Sequence, residues 1–171
     1  SSGADDQPIT LTSYMDGPKP VIAGHGLTRS AVFLENLSHW VIDGIEITNT
    51  GKSREAKRVG VLVFAKNTGL VEDITLRNLL VRDVNGVISK DKGGGTGIRW
   101  EVDTRNIPTK IDNLLIENCH VLRCDRDAIK GWMDPWDDLS HLSTNVVIRG
   151  NLLEDIAVSY THLTLPTSTH V

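Results

Sequence analysis

The sequence predicts an all-β fold, a solenoid in which short strands wind in successive laps. Three observations carry this: an internal repeat, apolar residues two apart within each copy, and no helical pattern between copies. Four segments align without gaps: WVIDGIEITNT (40–50), ITLRNLLVRDV (74–84), LLIENCHVLRC (114–124) and VVIRGNLLEDI (146–156). One column reads Trp40, Ile74, Leu114, Val146, and the next Ile42, Leu76, Ile116, Ile148. Gly44, Asn78, Asn118 and Gly150 follow, then Ile47, Val81, Val121 and Leu153, and finally Thr50, Val84, Cys124 and Ile156.

Apolar positions interrupted by Gly or Asn describe a strand that bends and restarts, because those residues tolerate left-handed backbone angles. A second strand set precedes each copy: AVFLEN (31–36), VLVFAK (61–66), GIRWEV (97–102) and AIKGWM (128–133). One lap cannot bury its own inner face, so stacked neighbours must make the core. Cys119 shares a column with Ile45 and Leu79, and Cys124 with Val84 and Ile156, so both cysteines read as small core fillers. Asn151 is the misfit in the Cys119 column, either an added rung of an asparagine ladder or a slipped register.

Composition narrows the partners. With 171 residues, 39% hydrophobic, 23% charged and a formal net charge of −4, the chain lacks the basic balance that nucleic acid selects. No apolar run approaches the roughly 20 residues of a membrane helix. His25, His39, His120 and His141 lie scattered and receive no role.

The opening PITLTSYMDGPKPVIAG is similar to the first coil of right-handed parallel β-helix proteins of the pectate-lyase-like superfamily, especially bacterial polysaccharide-degrading members. The resemblance runs from Pro8 to about Ala157. It implies a right-handed parallel β-helix of about four to five coils, residues 1–157, with 1–27 as its opening coil. It also implies a secreted, periplasmic or cell-surface protein, acting as a monomer on polysaccharide.

Strands of neighbouring laps lie about 4.8 Å apart, so column-mates touch. Asp43, Arg77, Glu117, Arg149 and Asp83, Arg123, Asp155 alternate in charge, as a surface ladder requires. Aligning Gly60, Gly97 and Ala128 instead sets Arg99 beside Lys130, Glu101 beside Trp132 and Asp103 beside Asp134. Like charges stacked this way destabilise a sheet. A bound anion, a metal ion, a shifted proton or counter-charges from nearby loops would relieve them, the last being commonest. Long excursions (51–58, 85–96, 103–110, 134–141) are placed to wall a groove. Trp132 and Trp136 offer indole faces for stacking on sugar. Trp100, paired with Gly131, and Trp40 read as core.

Three chemistries fit such a groove. In a β-elimination, Arg99 and Lys130 serve as base or carboxylate clamp on a uronate, with Asp134, Asp137 and Asp138 as Ca²⁺ ligands. In a hydrolysis, paired carboxylates act, and DRDAIK (125–130) partly resembles the DD-x-x-A-I-K stretch of polygalacturonase-type hydrolases, which points to Asp125 and Asp127. That family's downstream Gly-His-Gly is absent; the only copy, Gly24-His25-Gly26, lies in the opening coil. Glu101 joins Trp132 and Trp136 as a substrate-binding candidate. The alternative class is a non-catalytic glycan-binding or cell-surface module. The tail VSYTHLTLPTSTHV (158–171) carries no Asp, Glu, Lys or Arg and leaves every column. Its first ten residues resemble the translated read-through of a transposon-based sequencing adapter. The expectation is therefore a fragment truncated at its C-terminal end, with a non-native tail.

Overall fold

The computed structural model describes residues 1–14, 17–27, 29–89, 92–134 and 142–156. Among them every named element is a strand, and no helix is long and apolar enough to cross a membrane. The strands are β1 (Ile9–Thr12), β2 (Val21–Ala23), β3 (Ser30–Glu35), β4 (Trp40–Asp43), β5 (Glu46–Asn49), β6 (Val59–Lys66) and β7 (Leu70–Arg77). They continue as β8 (Leu80–Val84), β9 (Thr96–Asp103), β10 (Lys110–Glu117), β11 (His120–Cys124), β12 (Asp127–Asp134), β13 (Thr144–Arg149) and β14 (Leu152–Ile156).

They form three sheets, ordered β1-β4-β7-β10-β13, β2-β5-β8-β11-β14 and β3-β6-β9-β12, and all pairings between them are parallel. Each strand thus pairs with the third before and after it, which is the connectivity of a strand solenoid. The register follows the sequence columns: Trp40, Ile74, Leu114 and Val146 are successive partners, as are Ile42, Leu76, Ile116 and Ile148. The predicted bend falls where expected, with φ of 69°, 53°, 52° and 64° at Gly44, Asn78, Asn118 and Gly150.

One column differs. Asn49, not Thr50, pairs with Val84, because β5 lacks the extra left-handed residue that Asp83, Arg123 and Asp155 insert in β8, β11 and β14. Asn49 is fully buried there and its Nδ2 donates to the Val59 carbonyl at 2.9 Å. Asn151 is not a slip: its Oδ1 accepts from Cys119 N at 2.8 Å and its Nδ2 donates to Ile116 O at 3.0 Å. It satisfies backbone groups freed at the bend.

Ile42, Ile47, Ile74, Leu76, Ile98, Leu114, Ile116 and Val121 lie in the core between the sheets. Cys119 and Cys124 are buried free thiols, and burial pushes them up to about 11 and about 12, the state of inert fillers. The outer ladders form as ion pairs, Arg77 to Asp43 at 2.9 Å, Arg149 to Glu117 at 2.8 Å and Arg123 to Asp83 at 2.6 Å. Trp100 packs against the core, and an added Cβ at Gly131 would lie 2.3 Å from its Cζ2. Gly131→Ala is therefore expected to lower unfolding stability by about 1–3 kcal/mol, measured by urea titration, through overpacking against that ring.

Candidate active site

The β3-β6-β9-β12 sheet carries the candidate site on its outer face. Parallel register puts Lys130 beside Arg99, Trp132 beside Glu101 and Asp134 beside Asp103, as the sequence columns require. A groove of about 470 Å³ lies over them, lined also by Arg29, Phe64, Lys66, Arg105 and Arg126. Arg99, Glu101, Lys130, Trp132 and Asp134 are thus brought together.

Counter-charges relieve the stacked like charges. Arg29 Nη2 donates to both Glu101 oxygens at 2.6 and 2.8 Å, and Arg99 Nε lies 2.6 Å from the same carboxylate. That last contact is a charge contact only, since the Arg99 Nε–H makes no aligned hydrogen bond. Burial pushes the Arg99 guanidinium down from its usual range; Glu101 pulls it up, and Arg29 pushes it down again. Lys130 Nζ donates to Asp127 Oδ2 at 3.4 Å, where Arg126 Nε also lies at 3.6 Å and Thr96 Oγ1 donates at 3.1 Å.

Arg105, from the loop after β9, clamps Asp103 through Nη2 at 2.6 Å and Nε at 3.0 Å, and reaches Asp134 Oδ2 at 3.8 Å. Hydrogen bonds from Arg105 hold the Asp103 carboxyl below its usual range, against the opposing effect of burial. The folded value lies below the unfolded one, so this contribution is complete above about pH 4 and is lost as pH falls through the folded value. Asp103→Asn is therefore expected to flatten the loss of stability below about pH 4, read from thermal midpoints at stepped pH.

Exposure sorts the carboxylates. The side chains of Glu101 and Asp103 are 9% and 6% exposed and held by arginines, whereas those of Asp127 and Asp134 are 28% and 48% exposed. Asp125 sits elsewhere: it accepts from Arg54 Nε at 2.7 Å and Gly86 N at 3.0 Å, and it tethers two loops. Trp132 is 47% exposed along the groove. Trp136, Asp137 and Asp138 lie outside the described residues, so of the expected Ca²⁺ ligands only Asp134 is placed in the groove. Among the described residues, the ligand-type groups close enough to share an ion are Asp5, His39 and Asp73, away from it.

Phe64 and Arg29 were not singled out in the sequence. Phe64 is the β6 partner of Glu101 and was findable from the column, and Arg29 packs over its ring at 5.8 Å. Arg29, Arg105 and Arg126 come from turns and loops outside the strands, where columns give no placement.

Fold and groove together define a parallel-strand solenoid that presents a charged, aromatic-bearing groove on one sheet. Among solved structures the chain is similar to the GH136 lacto-N-biosidase from Eubacterium ramulus, with a TM-score of 0.80 and 25% identity over 91% of this chain and 32% of that one. The selenomethionine derivative of that protein superposes with a TM-score of 0.75 and 23% identity. Lacto-N-biosidase of Bifidobacterium longum subsp. longum is 25% identical over 190 aligned positions, covering 75% of this chain and 12% of that protein. The chain thus spans about a third or less of the relatives it matches. No protein-family profile matches it.

Proposed function

We propose that this chain forms part of a glycoside hydrolase, with the groove as its glycan site and Asp134 as a carboxylate that acts in the reaction. The carrying observation is its exposure: among the groove-lining carboxylates it keeps an open edge, while arginines seal Glu101 and Asp103. Glycoside hydrolysis needs one carboxylic acid to protonate the leaving oxygen and one carboxylate to activate water or attack the sugar. Asp134 closes β12 on the groove, two residues after Trp132, whereas Asp127 opens the same strand about 23 Å away, too far to pair with it, and holds Lys130. Trp132 supplies the stacking face for a sugar ring.

The relatives' name, lacto-N-biosidase, supports hydrolysis of a glycan. Elimination across a uronate finds no support there, and Arg99 and Lys130 are engaged with Glu101 and Asp127 rather than free to act as base. We take the winding as right-handed, with four to five coils, and the working place as outside the cell, where such glycans occur. Incubating the chain with a lacto-N oligosaccharide and separating the products tests the reading. Release of a shorter sugar with a new reducing end is expected; an intact glycan at high protein concentration would overturn it.

A further inference from the structure

We infer that the groove is built for a glycan carrying an anionic substituent, a carboxylate or a sulfate, held against a wall formed by Lys57, Lys92 and Arg126. This rests on the reading of the groove as a glycan site and names the class of glycan it takes. The chain is acidic overall, with a formal net charge of −4, yet the groove is lined by eight cationic side chains against three carboxylates. Adding Asp127, which touches Lys130, leaves the excess in place. A low-dielectric cleft lined by one sign of charge concentrates ligands of the other sign.

The cations fall into two groups. Arg29, Arg99, Arg105, Arg126 and Lys130 each hold a carboxylate within 4 Å and so stabilise the site itself. Lys57, Lys66 and Lys92 make no ion pair among the described residues. Of these, Lys57 and Lys92 line the groove from the excursions before β6 and before β9.

These two excursions are fastened together. Lys57 N donates to Gly93 O, and Val87 N donates to Glu55 O at 3.0 Å. Arg58 Nη1, on the next residue, donates to Ser53 O at 2.7 Å and Asn85 O at 3.2 Å, which joins the loops from inside. Arg126 completes the wall: its Nη1 donates to Ser89 O at 3.1 Å, and it packs so closely that an added Cβ at Gly93 would meet it at 2.7 Å. The backbone bond from Lys57 N to Gly93 O brings the backbones that carry the two lysines together on the lining of one groove. Like charges gathered in one groove repel, at a cost that an anionic ligand reverses. A neutral sugar needs hydroxyl partners and gains nothing from this surplus.

The test uses three probes: a neutral lacto-N oligosaccharide, the same glycan bearing one carboxylate sugar, and the same glycan bearing one sulfate. Binding to the chain is measured by calorimetry and cleavage by product chromatography, at low and at physiological salt. One or both anionic probes are expected to bind about tenfold tighter than the neutral one, with a preference that shrinks as salt rises. The preference should fall about tenfold in the Lys57→Gln, Lys92→Gln double variant. Which anionic probe gains more identifies the substituent. Equal binding of all three probes, or a preference that the double variant leaves intact, overturns the inference. Cleavage with no charge preference would sink it while sparing the hydrolase reading. Tight anionic binding without any cleavage would do the reverse.

Discussion

Asp134→Asn is expected to lower glycan cleavage by at least about a hundredfold, the loss that follows when a reacting carboxyl can no longer exchange a proton. Its exposure and its loose charge contact to Arg105, at 3.8 Å, mean that the fold asks little of this carboxylate. The variant should therefore unfold at nearly the wild-type urea concentration, so that the loss falls on kcat and not on the amount of folded protein. Asp127→Asn is expected to act on stability instead, through the lost contacts of Lys130 and Thr96. A variant at Asp134 that keeps more than a tenth of the wild-type rate would remove it from the reaction.

The second large effect is on stability and sits at Arg58, a residue the sequence columns left unmarked. It is 2% exposed, and its guanidinium donates to the carbonyls of Ser53, Asn85 and Gly26. Glu55, at 3.5 Å, is its nearby anion. Arg58→Met keeps the length of the side chain but leaves those carbonyls without a donor. Each buried group left unsatisfied costs about 1–3 kcal/mol, and partial hydration of the loops reduces the sum. We expect a loss of about 3 kcal/mol in urea unfolding, accompanied by weaker glycan binding as the loops that carry Lys57 and Lys92 separate. A change under about 1 kcal/mol would show that the loops are held by their backbone contacts alone.

Stacked columns made the fold legible. Column-mates such as Ile42, Leu76 and Ile116 are in-register neighbours because a parallel ladder puts equivalent residues of successive laps side by side. The same logic predicts Arg99 beside Lys130 and Asp103 beside Asp134, and both are register partners. It failed at Thr50, where a one-residue bulge present in β8 is absent from β5, a difference that side-chain type does not report.

The site was legible only where it lies on strands. The like-charge rungs were visible, but the relief of Asp103 and Asp134 comes from Arg105, whose position depends on turn geometry, while Glu101 and Asp127 relieve Arg99 and Lys130. Asp125 and Asp127 looked equivalent as alternate residues of one stretch. A turn separates them: Asp125 precedes β12 and faces Arg54 across the loops, while Asp127 begins the strand. Asp134 was read as a metal ligand because carboxylates cluster after it; the sequence did not show that it would stay half exposed while its neighbour Asp103 is clamped by Arg105.

Cleavage in oxygen-18 water, followed by mass spectrometry of the products, tests the central claim most directly. Hydrolysis in the groove at Asp134 predicts one heavy oxygen in the new reducing end per bond broken, and at least about a hundredfold less from the Asp134→Asn variant. An unlabelled, unsaturated product would contradict the account, as would labelling that persists at the wild-type rate without this carboxylate.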